Sequence, residues 1–251
     1  MTYQSVLLER GKNKVEFNGN FFLGSTPYNI KPLRLFCKEL GADAVSTPLL
    51  NSKSNFDFDE EVIIATFDKV SKTLLSNLES NENVKVLCYQ GIGKTETEIK
   101  ESIKLILENS KKPIIVSVSV AEIGFVPTKE INLLINFVEE GVEKEIDDKI
   151  VIEQKKKFSK VFVRCKFETP EGIYQLLRNE SIDGVFISDL VVSRPTIFEQ
   201  SKNYFEKGYY NKLTRKRREK VVDRFSTLYS EYANPSDKQE LDSYIQRFLE
   251  E

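Results

Sequence analysis

The chain has 251 residues, enough to bury a sizeable core in one barrel-sized domain with an appendage, and its formal net charge of -2 makes no bulk case for nucleic acid or membrane. It has no histidine, which excludes Ser-His-Asp and Cys-His hydrolases, HExxH metalloproteases and any imidazole acid–base role. Its three cysteines, Cys37, Cys88 and Cys165, form no CxxC pair, so no metal centre is expected and a reducing compartment is.

The first residues, MTYQSVLLERGKNK, lack the pattern of a signal peptide, and no window reaches the roughly 18 apolar residues of a spanning helix. The expectation is a cytoplasmic protein with no membrane association. Two strand-like runs, SVLLE and KVEFN, joined by Arg10 to Asn13, then predict a hairpin placed to plug a barrel floor. After them, short apolar runs alternate with amphipathic segments. Strands are expected at Phe21 to Gly24, Ala44 to Thr47, Val84 to Tyr89, Pro113 to Val120, Lys149 to Glu153, Lys160 to Arg164 and Gly184 to Ser188. Helices are expected at Ile30 to Leu40, Glu60 to Asn77, Glu96 to Asn109, Lys129 to Glu139, Pro170 to Arg178 and Pro195 to Lys207.

Runs such as VKVLCY and IIVSVSV are apolar on both faces, as a parallel sheet covered by helices requires. Thr95 with Glu98, Thr128 with Ile131, and Thr169 before Pro170 read as helix starts, and Gly41 and Gly141 as helix stops. The fold class is α/β, a TIM-barrel-like (β/α) domain, one unit short or degenerate, because only seven strands are legible where a closed barrel needs eight. An eighth is best sought between Phe125 and Lys149. Residues 1–208 form the barrel-like domain with its hairpin, and 209–251 a helical C-terminal segment. In that segment Val221, Val222, Phe225, Leu228, Tyr229 and Tyr232 recur at helical spacing; Asn234–Pro235 breaks the chain and Lys238 to Glu250 reads as a last helix.

Two motifs carry chemistry on their face. In QGIGKTETEIK, Gly91 to Gly93 with Lys94 and Thr95 lack the GxxxxGK[ST] spacing, so the segment reads as a strand-to-helix turn rather than a triphosphate loop. The run KLTRKRREK is the charge concentration of the chain. Lys212, Arg215, Lys216 and Arg218, with Tyr209 and Tyr210 upstream for stacking, make a surface suited to the phosphates of a structured RNA; a solvated helix face carries the same charges.

The segments FFLGSTPYNIKPLRLFCKELGADAVSTPLL (Phe21 to Leu50) and IDGVFISDLVVSRPTIFEQSKNYFEKG near the end of the barrel resemble the first and last units of tRNA-dihydrouridine synthases. Gly24 matches that family's turn glycine, Arg34 its helix arginine, and Phe36 to Asp43 its Gly-Ala-Asp approach to the second strand. The resemblance implies a (β/α) barrel that binds FMN and reduces uridines in tRNA, with C-terminal helices against the tRNA. It places Gln90 at a flavin contact beside Gly91, with Gly24 at the turn; Arg164, Lys166 and Arg194 join these two as cofactor-binding candidates for a different reason, as cations able to offset charge at a phosphate.

The family's chemistry is largely missing. No Asn-x-Gly-Cys-Pro segment exists, the strand expected to carry a flavin-contacting lysine reads PIIVSVSV, and the histidine after strand six has no counterpart. Pro48 stands where an acid is expected. Ser188–Asp189 replace Gly-Arg after the last strand, and Asp189 is a like charge beside a phosphate; Arg164, Cys165 and Lys166 replace Asn-Gly-Asp. Cys165 alone lies at a strand end, and is the one candidate proton donor. The expectation is a pseudoenzyme with no cofactor, holding structured RNA, in first place tRNA, or serving in an RNA-related complex. The alternatives are an active FMN-dependent flavoprotein with rearranged donors and a non-enzymatic barrel subunit of a protein or ribonucleoprotein assembly.

Overall fold

The computed structural model describes residues 4–25, 30–54, 56, 58, 63–128, 130–139, 142–143, 146–166, 169–188 and 190–232. The hairpin forms as expected: β1 (Val6–Arg10) and β2 (Asn13–Phe17) pair antiparallel and turn at Gly11, whose φ of +57° favours glycine. The barrel strands follow as β3 (Phe21–Leu23), β4 (Ala44–Leu50), β5 (Ile63–Phe67), β6 (Val84–Gln90), β7 (Ile114–Ser119) and β8 (Asn132–Asn136). A short antiparallel pair, β9 (Val138–Glu139) and β10 (Val142–Glu143), precedes the last two barrel strands, β11 (Val161–Arg164) and β12 (Gly184–Ile187). Every barrel neighbour is parallel and β12 pairs with β3, so the sheet closes as an eight-stranded TIM barrel.

The outer layer holds α1 (Lys31–Glu39), α2 (Lys72–Ser80), α3 (Glu96–Asn109), α4 (Asp148–Lys155), α5 (Pro170–Leu177), α6 (Leu190–Ser193) and α7 (Ile197–Lys207). Between β7 and β8 the connection is a 3-10 turn, Val120–Phe125. The long α8 (Arg215–Tyr232) lies on α1, where Phe36 and Phe225 rings are 5.4 Å apart and Glu39 is paired by Arg224. Among the described residues no helix is long and apolar enough to cross a membrane, and no His/Cys/Asp/Glu group could hold a metal.

Three expected elements are corrected. Glu60 to Asn77 is not one helix: Ile63–Phe67 is β5, buried along its whole length, and α2 starts only at the Ser71 cap, whose Oγ accepts from the Leu74 N–H. Lys129 to Glu139 contains β8 instead of a helix, so Thr128 caps nothing. Lys149 to Glu153 is helical, because Asp147 caps α4 by accepting from the Lys149 N–H while only Val151 and Gln154 turn inward. In each case a four- or five-residue apolar run fits a buried strand or a helix face equally, and contacts far along the chain decide. The eighth strand does lie between Phe125 and Lys149, but a second one came from Ile63–Phe67, so no unit is lost. Gly141, Asn234–Pro235 and Lys238 to Glu250 lie outside the described residues.

The floor of the barrel is fixed twice by one device. The Asp43 N–H donates to the Phe21 carbonyl at 2.8 Å while its Oδ2 accepts from the Phe21 N–H at 3.0 Å, and Lys202 closes on Oδ1 at 2.8 Å. Asp183 repeats the pattern on Val161, with 2.8 Å in both directions and Lys155 and Lys160 as its cations. The Gly-Ala-Asp and Ile-Asp-Gly signatures are thus staples between the start of one strand and the start of the next. Inside, Val6, Leu8 and Phe17 of the hairpin enter the cluster of inward residues Phe22, Ile64, Val86, Ile115, Leu134, Phe162 and Phe186. Phe17 meets Phe22 edge-on at 5.1 Å. Gly184 is required beneath these rings, since a Cβ there would lie 2.6 Å from Phe22 Cε2. Arg10 anchors the plug by donating from Nη2 to the Leu107 carbonyl at 2.8 Å and from Nη1 to the Ser110 carbonyl, the open end of α3.

Candidate functional site

Side chains alternate between the lumen and the helix layer along each strand, so the residue two places beyond each lumen-filling apolar residue forms the next layer up. That layer reads Gly24, Ser46, Thr66, Cys88, Ser117, Asn136, Arg164 and Ser188, one per strand, with Gln90 and Ser119 a further step toward the mouth. The sequence therefore changes from Phe, Ile, Val and Leu to small hydroxyls, an amide and a single cation within one step. Ser46, Thr66, Ser117, Ser119, Asn136 and Ser188 are all buried. In TIM barrels this C-terminal end carries the active site.

The expected residues fall into two groups. Gly24, Gln90 and Arg164 all stand at the mouth, at the ends of β3, β6 and β11, with β6 three strands away from each of the other two. Arg164 Nη2 donates to the Ser25 carbonyl at 3.4 Å and its charge reaches the Cys88 thiol. Lys166, just past β11, is exposed, and Arg194, half-buried after α6, lies close enough to act on the Tyr210 hydroxyl. Cys165 packs against the cluster between sheet and helices, not with the lumen set. Cys37 and Cys88 are buried and inert: burial pushes both thiols up, Cys88 to about 12. Asp189 lies outside the described residues.

Two contacts shape the mouth. A Cβ on Gly24 would lie 2.1 Å from Ser188 Oγ, so the space over that glycine is occupied by the Ser188 hydroxyl, which is buried and has no hydrogen-bond partner among the described residues. Glu122, in the 3-10 turn, is buried and accepts from the Gly93 N–H at 2.6 Å, the Ser119 N–H at 2.8 Å and Ser119 Oγ at 2.7 Å. Its carboxylate ties the loop after β6 to the loop after β7. It also takes the N–H that a phosphate at the GIG turn would use, which explains in charge terms why that turn is no phosphate loop; Thr95 and Glu98 there form the expected capping box. Thr66 and Asn136 were missed in the sequence because β5 and β8 read as helices, and Glu122 because no element was expected between Val120 and Lys129; the signal present was Ser119-x-x-Glu122, a capping-box spacing.

The basic run is split by its own ion pairs. Arg215 pairs with Glu219 at 3.0 Å, Arg217 holds both Glu199 oxygens at 3.1 Å, and Arg218 is half-buried. Lys212, Lys216 and Lys220 are exposed, and no described residue pairs with them. Tyr209 is 60% exposed, while Tyr210 is partly covered and its hydroxyl pKa is raised, first by burial and then by Glu171.

No protein-family profile matches this chain, and no curated protein sequence matches it. Solved structures do. The old yellow enzyme from Trypanosoma cruzi superposes with a TM-score of 0.55 at 8% identity, over 91% of this chain and 98% of that one. Morphinone reductase gives 0.56 at 8%, over 90% and 94%. A monomeric form of phosphoribosylanthranilate isomerase from Thermotoga maritima gives 0.51 at 16%, over 72% and 97%. Such distant likeness, shared by enzymes of different chemistry, establishes the barrel fold.

Proposed function

We propose that this chain is a diverged barrel of the dihydrouridine-synthase kind that has given up reductase chemistry and holds structured RNA, tRNA first, on its C-terminal helix. The display of α8 carries the reading. Its apolar face, Val221, Phe225, Leu228 and Tyr229, is buried, and its first turn holds Arg215, Lys216, Arg217 and Arg218 with no acid. Cations at a helix N-terminus oppose the helix dipole, so the fold tolerates an unfavourable arrangement of about 0.3–1 kcal/mol per charge that a bound polyanion would reverse. The linker is held in place by the Asn211 carbonyl accepting from Gln200 Nε2 at 3.3 Å and by the Arg217–Glu199 pair. Lys212, Lys216 and Lys220 then point outward from a fixed base, with Tyr209 exposed beside them.

The test is filter binding of tRNA transcripts to wild type, K212A/K216A/K220A and the ion-paired control R215A/R217A at two salt concentrations. Loss of three phosphate contacts lowers the slope of log affinity against log salt by roughly 2 to 3 and affects unrelated structured RNAs alike. The control loses less. Equal binding by all three proteins overturns the RNA reading and favours the assembly-subunit alternative.

An active flavin enzyme is the second reading, favoured by Gln90 and Arg164 both standing at the C-terminal mouth, at the ends of β6 and β11. Old yellow enzymes bind FMN. Here the described residues do not fit a tightly held flavin: Ser188 fills the space over Gly24, and of the three cations expected at the phosphate end Arg164 donates to the Ser25 carbonyl, Lys166 is exposed and Arg194 is half-buried within electrostatic reach of the Tyr210 hydroxyl. FMN titrated into the protein is expected to show no tight stoichiometric site. Micromolar binding weakened by R164A or Q90A would restore the enzyme reading, with Cys165 as the donor to test next.

A further inference from the structure

Strand β4 changes register partway along its length. Ser46 is level with Ile64 and faces the lumen, but the pairing with β5 then shifts, and Leu49 stands level with Thr66. Such irregularities re-aim side chains at strand ends. Strict alternation from Ser46 would send Leu49 toward the helices; the shift turns it to the lumen side, beside Thr66 of the polar layer. Leu49 is 45% exposed there. A leucine turned into a polar mouth loses its contacts to the helix layer and gains burial only from an apolar cover.

Helix α8 delivers the rest of the chain to that rim. It runs antiparallel to α1: Phe225 meets Phe36, and one end further on Lys31 Nζ lies 4.7 Å from the centre of the Tyr232 ring. Lys31 opens α1 just past the mouth end of β3, the strand beside β4. The described chain therefore ends at the mouth, with Tyr232 43% exposed. Beyond it, outside the described residues, the sequence of 238–250 puts Leu241, Tyr244, Ile245, Phe248 and Leu249 on one face of a predicted helix, and Gln239, Gln246 and Glu250 on the opposite one.

We propose that this apolar face docks across the barrel mouth with Leu49 as its seat, so that the chain covers its own mouth and a molecule entering there displaces the segment. Length permits it: residues 233–237 reach about 17 Å when extended, and a helix over 238–250 is about 20 Å long. The tether also decides the occupant. A linker this short holds the segment at roughly millimolar effective concentration around its own mouth, more than a second copy reaches in dilute solution. The inference does not depend on the RNA reading, whose cations lie at the other end of α8.

The chain has no tryptophan, so L49W in the full-length protein is a single reporter at the seat. Adding L241E/I245E/F248E should raise its acrylamide quenching constant about twofold or more and move its emission to longer wavelength, because both follow the population of the open form. Q239E/Q246E, on the opposite face, should leave both as they are in L49W alone, and circular dichroism melting confirms that all three proteins are folded. A second measurement keeps the seat small: in the C165S chain, L49C/I245C should close a disulfide within one chain under mild oxidation, and L49C/Q246C should not. Equal quenching in the three tryptophan proteins, absence of the L49C/I245C bond, or a bond that joins two chains and so gives the mouth to a second copy, would each overturn the proposal.

Discussion

The floor and the mouth of this barrel are built from the same strands but follow opposite rules. At the floor, Asp43 and Asp183 each satisfy both backbone groups of a neighbouring strand residue and carry their own lysines, and the Phe17 ring of the hairpin packs edge-on against Phe22. At the mouth, the same strands end in small hydroxyls, an amide and Arg164, and Ser188 is left buried without a described partner. The floor is organised to hold the chain closed. The mouth gathers buried polar groups in place of apolar packing, the Ser188 hydroxyl among them without a described partner, and that is where a binding function is expected to reside.

The largest test of this contrast is to empty the floor. Phe17 is 1% exposed and enters the lumen from outside the barrel sheet, so F17A should lower unfolding free energy by about 3–5 kcal/mol in chemical denaturation while the strands that line the mouth remain unaltered in sequence. A loss below about 1 kcal/mol would mean the hairpin is an ornament and not a plug.

The two ends also differed in how far sequence alone revealed them. The floor was legible because its signals are local: the hairpin turns at Gly11, and the Gly-Ala-Asp and Ile-Asp-Gly motifs sit where each staple forms. The resemblance at Phe36 to Asp43 falls on residues that build that staple, so a similar scaffold carries no requirement for the same chemistry. The mouth was half legible. Gly24, Gln90 and Arg164 were placed correctly at strand ends, whereas Thr66 and Asn136 were hidden because IIATF and NLLIN are buried on every side and carry no alternation. The unhelical unit after β7 was invisible for the same reason. A five-residue apolar run does not state whether its neighbours are strands or helices until the barrel closes around it.

Alkaline titration locates where the dry interior ends. Cys88 lies in the layer between the two regimes, with Thr66 hydrogen-bonded to it, and its thiol is nevertheless raised to about 12; Cys37, on the buried face of α1, is raised too. Between the ordinary thiol value of 9.0 and the folded value, the unfolded chain has lost these protons and the native chain has kept them. The native state then binds more protons, so stability falls as pH rises, by up to about 1.4 kcal/mol per pH unit for each thiol. Comparing unfolding free energies of wild type and C37A/C88A at pH 8 and pH 10 isolates this from other groups: the wild type should lose roughly 2–3 kcal/mol more over that interval. Equal losses would mean water already reaches Cys88. In the same native protein a thiol reagent at pH 8 should label Cys165 alone.

At the floor, D43A removes a carboxylate that is 4% exposed and that accepts from the Phe21 N–H and Lys202, so a loss of about 2–3 kcal/mol is expected. D183A should behave alike, since the two sites share one geometry; a large effect at one and none at the other would deny that they are the same device.

The smallest effect is the most diagnostic of the mouth. Ser188 has its hydroxyl buried without a described partner, so S188A removes an unfavourable polar burial at little loss of packing and should leave stability unchanged or raise it by up to about 1 kcal/mol. That is the opposite sign from every floor substitution. The same hydroxyl fills the space over Gly24, so S188G should open that space without disturbing the staples. If the closed seat is what keeps a flavin out, S188G will gain measurable quenching of FMN fluorescence that wild type lacks, and adding R164A will remove it. No gain in S188G would place the obstacle elsewhere, at the phosphate end, where Lys166 is exposed. A stability loss in S188A larger than about 1 kcal/mol would show that the hydroxyl is bonded after all and that the mouth obeys the rule of the floor.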